Sequence, residues 1–346
     1  DGLAEKIEAR GMKFGIWVEL EMVNEDSDLY RAHPDWVLSV PGRRKSLGRS
    51  QCVLDFSRQD VVDNIYAQMA AILASGKVSY VKWDMNRSIT ECWSHARPAA
   101  RQGEVFHRYI LGLYDLYERL TTAFPHVLFE SCASGGNRFD PGMLYYAPQA
   151  WTSDNSDAVE RQKIQYGTSM CYPLSSMGSH VSVVPNHQVN RVTPLHTRAN
   201  TAYFGTFGYE LDLGKLSAEE IAEVKDEIAF MKEYREIFQF GTFYRLQSPF
   251  EHNVMAWMCV SGDQKTAIVG WYRTLNRVND RFARVRLAGL LPDTLYEDSR
   301  SGARCYGDEL MHYGLITTDG TTGEPHPEDG LTTDFDSRLY VLNAVE

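Results

Sequence analysis

Along residues 1 to about 240, two kinds of hydrophobic pattern follow each other in turn, one typical of strands and one typical of helices. Short apolar runs of strand length recur, and most of them are apolar on both faces, as is typical of parallel strands that helices cover on both sides. These runs predict seven strands, at residues 13–20, 52–57, 79–84, 126–134, 149–154, 178–184 and 207–213.

The stretches between these runs carry apolar residues three or four positions apart, which predicts helices. We expect helices at residues 1–10, 57–76, 104–124 and 159–172, the second of them beginning at an N-cap, Ser57. So long a βα alternation favours a (β/α)₈ TIM barrel over a doubly wound sheet, with seven of its eight strands present in this chain. No GxGxxG motif follows any strand, which argues against a dinucleotide site.

The hydrophobic pattern changes after Ser217. Ser217 and Glu220 have the spacing of a capping box, which predicts a long helix that begins there and runs through about residue 238. Beyond it, short strands separated by turns predict an antiparallel β-sandwich, and residues 317–330 read as a polar loop. We therefore expect a catalytic barrel at residues 1–240 and a C-terminal β-sandwich at residues 241–346. The six predicted strands are 243–248, 254–262, 266–273, 283–290, 294–302 and 338–345.

Composition narrows the function classes. The chain has 346 residues with 43% hydrophobic and 23% charged residues, which predicts a packed globular core. Its formal net charge is −11 and no basic stripe appears, so we expect no nucleic-acid partner. Six scattered cysteines without CxxC pairs favour a reducing, cytoplasmic compartment, and no apolar run has membrane length, so no membrane partner is expected.

Carboxylates follow five successive predicted strands: Glu19, Asp55, Asp84, Glu130 and Asp154. Barrel enzymes place their chemistry at the carboxyl ends of the strands. Acids that converge there repel one another unless a ligand or a cation organises them. A metal site is one alternative, but no histidine clusters with these acids, so we expect neither a metal nor a cofactor.

Two strand-end carboxylates can also perform glycoside hydrolysis, in which one ionised carboxylate attacks while the other donates a proton. Lys82 shares a strand face with Asp84 and favours its ionised form, and repulsion from Asp84 suits Asp154 to the acid role. For a double-displacement mechanism we expect these carboxyl groups about 5–6 Å apart. The residues alone leave the assignment of the two roles open.

The segments "KWDMNR", "ESCASGG" and "WTSDNSD" carry a specific resemblance, together with "KFGIWVELEMVNEDSDLYRAHPDW" and "GSHVSVVPNHQ". Their combination resembles the microbial α-galactosidases of glycoside hydrolase family 36, in clan D. The resemblance extends to about residue 240 and more loosely over the C-terminal strands. It implies that Asp84 is the nucleophile and Asp154 the general acid/base. It further implies a galactose pocket that includes Trp17, Arg49, Lys82 and Asn86, with Cys132 and Gly135 near the sugar 2-hydroxyl.

The resemblance implies a retaining α-galactosidase that acts on raffinose-series and other α-galactoside oligosaccharides, and a homo-oligomer, with a tetramer suggested. Galactosyl transfer to a sugar acceptor, as in raffinose synthases, and a non-catalytic carbohydrate-binding fragment are the alternatives. Individual residues also have structural alternatives: Trp17 as core filler, Cys132 as an inert buried thiol, Lys82 as a counterion of Asp84, and Arg49 as a solvated loop residue.

Two features of the resembled family have no match in this chain. The family carries an N-terminal β-sandwich domain, and its first barrel strand ends in an acidic pair that binds the galactose 4- and 6-hydroxyls. We therefore expect the chain to be a piece of a longer protein, and to show little or no α-galactosidase activity by itself.

Overall fold

The computed structural model describes residues 2–277, 283–317 and 334–345. Backbone proximity divides the chain into two units, Asp1–Trp151 and Thr152–Glu346. Within the described residues, no helix is both long enough and apolar enough to cross a lipid bilayer. The polar loop predicted at residues 317–330 lies, from residue 318 onward, outside the described part of the chain.

The first unit contains alternating strands and helices. Its elements in chain order are α1 (Gly2–Glu8), β1 (Gly15–Val18), β2 (Met22–Asn24), α2 (Asp28–Ala32), β3 (Gln51–Val53), α3 (Gln59–Leu73), β4 (Tyr80–Asp84), α4 (Val105–Ala123), β5 (Leu128–Cys132), α5 (Pro141–Tyr146) and β6 (Gln149–Trp151). Strands β1, β4, β5 and β6 pair in that order, and every pairing is parallel. This sheet confirms the predicted βα barrel texture and places the carboxyl ends of its strands along one edge.

The strand predicted at residues 52–57 does not join this parallel sheet. Gln51–Val53 instead pairs antiparallel with Met22–Asn24, in a separate two-stranded ribbon. Among the described residues, the parallel strands therefore number four in the first unit and two in the second, whereas seven were predicted. The apolar run misled because burial on both faces is common to barrel strands and to a ribbon packed into the core.

The N-cap predicted at Ser57 is also wrong, because α3 begins at Gln59 after Arg58. The Ser57 amide and hydroxyl both donate to the Asp55 carboxylate, over 3.1 and 2.5 Å. Asp55 is fully buried and follows the antiparallel strand β3, so it closes a turn rather than ending a barrel strand. Asp55 therefore does not belong to a strand of the parallel sheet, as Asp84 and Glu130 do.

Aromatic packing holds α4 against the sheet. The Trp83 ring, which lies on the core face of β4, stacks on Tyr117 with centroids 4.1 Å apart. The helix approaches the chain so closely at Gly112 that a Cβ there would lie 1.9 Å from the Phe56 carbonyl oxygen. Only glycine permits this approach, since any side chain would collide with backbone rather than with a movable group.

The second unit continues with two parallel strands and three helices, followed by the antiparallel C-terminal region. The first group comprises α6 (Ala158–Thr168), β7 (Met177–Ser182), α7 (Leu195–Ala202), β8 (Thr206–Glu210) and α8 (Ala218–Phe240). Strand β7 pairs in parallel with β8. The predicted capping box is confirmed, because Glu220 N donates to Ser217 Oγ and Ser217 N donates to the Glu220 carboxylate.

The C-terminal region is built on a six-stranded antiparallel sheet, as expected for the sandwich. Its elements are β9 (Thr242–Gln247), β10 (Val254–Val260), β11 (Thr266–Arg273), β12 (Arg284–Val285), β13 (Leu295–Asp298), β14 (Arg304–Tyr306), α9 (Gly307–His312), β15 (Leu315–Ile316) and β16 (Asp336–Ala344). The large sheet has the order β14-β13-β16-β11-β10-β9, and β12 pairs with β15. Apolar residues from both sheets and from α9 form one shared core.

Polar contacts fasten this sheet to helix α7 within the second unit. The Tyr272 hydroxyl donates to the Asn200 carbonyl over 2.6 Å, and His196 lies 2.7 Å from the buried Asp336 carboxylate. Ser337 receives a hydrogen bond from the Asn200 amide and donates one to Thr197. These buried contacts satisfy groups that would be costly if unpaired, so they fix the helix on the sheet.

Candidate active site

Asp84 ends strand β4 and is held by donors from three separate segments. Its Oδ2 oxygen accepts hydrogen bonds from Trp17 Nε1 over 3.2 Å and from Asn86 Nδ2 over 2.6 Å. Its Oδ1 oxygen accepts a longer one, of 3.4 Å, from the backbone amide of Ser134. The carboxyl is 6% exposed, so the donors fix its orientation in a site largely free of competing water.

The two faces of β4 differ as alternation predicts. Val81 and Trp83 point into the core and are fully buried, whereas Lys82 and Asp84 occupy the opposite face. Lys82 Nζ forms an ion pair with Glu130 Oε1 over 3.3 Å and lies 4.7 Å from the centre of the Trp151 ring. The Lys82 ammonium is therefore paired with Glu130, a carboxylate other than the Asp84 counterion predicted from the shared strand face.

Cys132 is the strand partner of Asp84 on the neighbouring β5 and is almost completely buried. The Cys132 thiol forms a hydrogen bond with Asp84. Burial, and to a lesser extent the negative charge of Asp84, raise the pKa of the thiol. Cys132 is therefore a neutral hydrogen-bond donor here rather than a nucleophile. This placement brings the nucleophile candidate into contact with one of the residues that the resemblance assigned to the galactose pocket.

A tight turn follows Cys132 and aims a backbone amide at the nucleophile candidate. Ser134 has φ +49° and Gly135 has φ +84°, both in the left-handed region, where glycine is favoured. The Ala133 amide donates to the Gly135 carbonyl over 2.9 Å and closes the turn. As a result Ser134 presents its amide to Asp84 and its hydroxyl to the Asn86 side chain.

Glu19 connects the Asp84 cluster to Arg49. One Glu19 oxygen accepts from Arg49 Nη1 over 2.7 Å and from Asn86 Nδ2 over 2.9 Å, and the other accepts from Gln51 Nε2 over 3.0 Å. Arg49 has φ +53° and a side chain that is 56% exposed. The Arg49 guanidinium also lies over the Trp17 ring, 6.0 Å from its centre, so both residues line the same side of Asp84.

Asp154 begins the second unit shortly after β6 and is exposed within it. Its backbone carbonyl accepts from Gln188 Nε2 over 3.4 Å. The segment just before it is fixed by the buried Arg161, which donates to Thr152 Oγ1 over 2.5 Å and to the Ser153 carbonyl over 3.3 Å. A solvent-accessible carboxyl on an anchored segment is suited to exchanging a proton with water.

Sequence reasoning missed a buried polar network on the core side of β4. Glu21 is fully buried and accepts from Trp83 Nε1 over 3.0 Å, from the Tyr109 hydroxyl over 2.6 Å and from Arg138 Nη1 over 2.9 Å. Arg138 lies in the same loop as Ser134. The network thus ties the loops after β1 and β5 to the strand that carries Asp84. A glutamate directly before the apolar pair of β2 was the signal available in the sequence.

A βα barrel with carboxylates at its strand ends, a lysine beside them and an exposed tryptophan is the architecture of a barrel-type glycosidase. Comparison with known families agrees with this class. The melibiase family profile matches residues 1–241, and the glycosyl hydrolase family 36 C-terminal domain matches residues 254–342. The chain belongs to this family of α-galactosidases.

Individual relatives are similar over 90–100% of the chain. α-Galactosidase AgaA of Geobacillus stearothermophilus is 52% identical over 346 residues, which are 100% of this chain and 46% of the relative. α-Galactosidase Mel36A of Lactobacillus acidophilus is 48% identical over 90% of this chain and 42% of the relative. A crystal structure of an AgaA variant in complex with raffinose superposes with a TM-score of 0.94 at 52% identity, covering 100% of this chain and 46% of that one. The chain thus spans about half the length of these relatives.

Proposed function

We propose that the protein to which this chain belongs is a retaining α-galactosidase. Asp84 is the nucleophile and Asp154 the general acid/base. The observation that carries the proposal is the position of Asp84, at the end of a parallel strand and held by Trp17, Asn86 and Ser134. Three donors fix the orientation of this carboxylate, as in-line attack by a nucleophile requires.

The contacts suggest how each step proceeds. Trp17 and Asn86 engage Oδ2, which fixes the carboxylate plane and assigns the attack on the anomeric carbon to Oδ1. Asp154 donates a proton to the leaving oxygen and afterwards takes one from the water that hydrolyses the galactosyl-enzyme. The half-exposed Trp17 indole offers a flat apolar surface for the galactose ring.

We propose α-galactoside oligosaccharides as substrates, since AgaA structures carry raffinose and stachyose. Residues 1–240 would act as the catalytic barrel and residues 241–346 as the C-terminal sandwich. A homo-oligomer, specifically a tetramer, and a cytoplasmic location complete the proposal. All six cysteines are free thiols, which supports a reducing compartment.

Azide rescue tests the roles of the two acids in the longest form of the protein that contains this chain. Asp84→Ala should nearly abolish hydrolysis of an aryl α-galactoside. Asp154→Ala should retain more activity on substrates with good leaving groups, and added azide should yield a galactosyl azide of retained configuration. Asp115→Ala, on the outer face of α4, serves as the control acid and should leave the rate unchanged.

Product analysis separates this function from the alternatives. Free galactose as the main product supports hydrolysis, whereas galactosylated acceptors would indicate transfer. Galactose binding by the unaltered protein without turnover would instead indicate a binding module. A galactosyl azide of retained configuration from Asp84→Ala, or of inverted configuration from Asp154→Ala, would contradict the roles assigned to the two acids.

A further inference from the structure

Glu130 has no assigned role, yet it lies one layer below the nucleophile candidate. Strands β4 and β5 are parallel, with Lys82 paired to Glu130 and Asp84 paired to Cys132. Alternate residues on paired strands face the same side, so all four side chains share one face. The layer of Asp84 and Cys132 therefore rests directly on the ion pair of Lys82 and Glu130.

The ion pair is asymmetric in its exposure. The Lys82 side chain is 21% exposed, whereas that of Glu130 is 3% exposed. Glu130 thus sits behind the ammonium, and Lys82 presents its charge on the face that carries Asp84. A buried carboxylate is costly unless it is paired, and Lys82 supplies the compensating charge.

Further contacts hold the Glu130 carboxylate itself in place. Its Oε2 oxygen accepts from the Tyr80 hydroxyl and from Gln149 Nε2, the latter over 3.3 Å. Burial and the neighbouring carboxylate raise the pKa of the Tyr80 hydroxyl, which therefore remains a proton donor. The carboxylate is thus held by two neutral donors at Oε2 and by the Lys82 ammonium at Oε1.

We propose that Glu130 is a positioning residue that aims the Lys82 ammonium at a hydroxyl of the bound sugar. The inference rests on the proposed function. The Lys82 ammonium is held on one side by its ion pair with Glu130. On another side it lies against the Trp151 ring, with Nζ 4.7 Å from the ring centre. A flexible lysine held in this way loses less conformational freedom when it binds its substrate.

The test pairs protein variants with substrates that lack single hydroxyls, again in the longest form of the protein. Aryl α-galactosides without the 2-, 3-, 4- or 6-hydroxyl are first assayed with Lys82→Met, which identifies the hydroxyl that Lys82 contacts. In Glu130→Gln we expect kcat/KM on the parent substrate to fall by about 10- to 100-fold. Removing the hydroxyl that Lys82 contacts should lower kcat/KM by a smaller factor in Glu130→Gln than in the unaltered protein. We call this factor the hydroxyl penalty, and it should stay the same for each of the other hydroxyls.

Tyr80→Phe is the matched control, because it removes a hydrogen bond from Glu130 but leaves the charge beside Lys82. Its hydroxyl penalties should remain at the parental values. A purely structural role for Glu130 would lower the rates on all substrates in proportion, and unchanged penalties in Glu130→Gln would overturn the inference. If Glu130→Gln does not fold, Glu130→Asp decides in its place: a penalty reduced at the same hydroxyl supports the inference, and an unchanged one overturns it. Absence of α-galactoside hydrolysis in the unaltered protein would contradict the proposed function instead.

Discussion

The Asn86 side chain donates a hydrogen bond of 2.6 Å to Oδ2 of Asp84, two residues before it in the chain. The same amide nitrogen donates to Glu19 over 2.9 Å, and the amide oxygen accepts from the Ser134 hydroxyl over 2.9 Å. Every polar group of this amide is thereby engaged, so it cannot turn without breaking a contact. Asn86 thus links Glu19 and Ser134, which lie in two other loops, to the Asp84 carboxylate.

Asn86→Asp should therefore disrupt the site more than its size suggests. The substitution removes both donated hydrogen bonds and places a third negative charge between Asp84 and Glu19. In the longest form of the protein that contains this chain, we expect kcat on aryl α-galactosides to fall by about 100-fold or more. Ser134→Ala, which removes only the hydrogen bond to the amide oxygen, should cost much less, and equal losses in steady-state kinetics would contradict this account.

Cys132 should control the space beside the sugar 2-hydroxyl. The thiol is buried against Asp84. In the proposed galactose pocket it lies near the sugar 2-hydroxyl, where we expect it to collide with a 2-acetamido group. We expect galactosides to be strongly preferred over N-acetylgalactosaminides. Cys132→Ala should narrow that preference and Cys132→Ser should not, as measured by the ratio of kcat/KM values for the two aryl glycosides. Comparable rates in the unaltered protein would refute the prediction.

The contributions of Glu21 and Arg138 to the free energy of unfolding should depend on each other. Glu21 is fully buried, and removing one partner strands the other charge in the core. Arg138→Met should lower the free energy of unfolding by about 3–5 kcal/mol. The double variant with Glu21→Gln should recover part of that loss in denaturant titrations. Additive losses would show that the two charges do not depend on each other.

Two glycines provide a matched test of helix packing. Gly112→Ala places a Cβ 1.9 Å from the Phe56 carbonyl oxygen and should destabilise the protein by about 3 kcal/mol. Gly167→Ala, in α6, meets nothing within 4 Å and should stabilise it by about 0.5–1 kcal/mol. Thermal unfolding of both variants checks the prediction, and shifts of the same sign would contradict it.

Glu227 should make stability depend on pH. This residue of α8 is 7% exposed, and burial raises the pKa of its carboxyl to about 7 although the Tyr209 hydroxyl donates to it over 2.5 Å. The folded state holds the proton more tightly than the unfolded state. The free energy of unfolding should therefore decrease as the pH rises from about 4.5 to about 7. The shift corresponds to at most about 3 kcal/mol.

Glu227→Gln removes this titration while keeping an acceptor for Tyr209. The variant should be more stable than the unaltered protein at pH 8 and show no such advantage at pH 5. The charges of Glu223 on α8 itself and of Arg198 and His196 on α7 act on the same carboxyl and remain in both proteins. Parallel pH profiles of the two proteins in urea titrations would show that Glu227 ionises as it does in water.

Local patterns determined a large part of this protein. Helix α8 and its capping box follow from Ser217 and Glu220, which are three residues apart and need no distant partner. The face shared by Lys82 and Asp84 follows from alternation along a single strand. Family motifs added the candidate site residues, of which Trp17, Asn86 and Cys132 all contact Asp84 in the structure.

Only the tertiary structure decided which segments and charges meet. The run at residues 52–57 has the pattern of a barrel strand. Its first residues nevertheless pair antiparallel with residues 22–24, because strand pairing depends on register with a distant segment. Likewise Glu21 finds Arg138, 117 residues away, and Lys82 finds Glu130 on the next strand. Periodicity reports whether a residue is buried, whereas the partner that makes a buried charge tolerable is set by long-range packing.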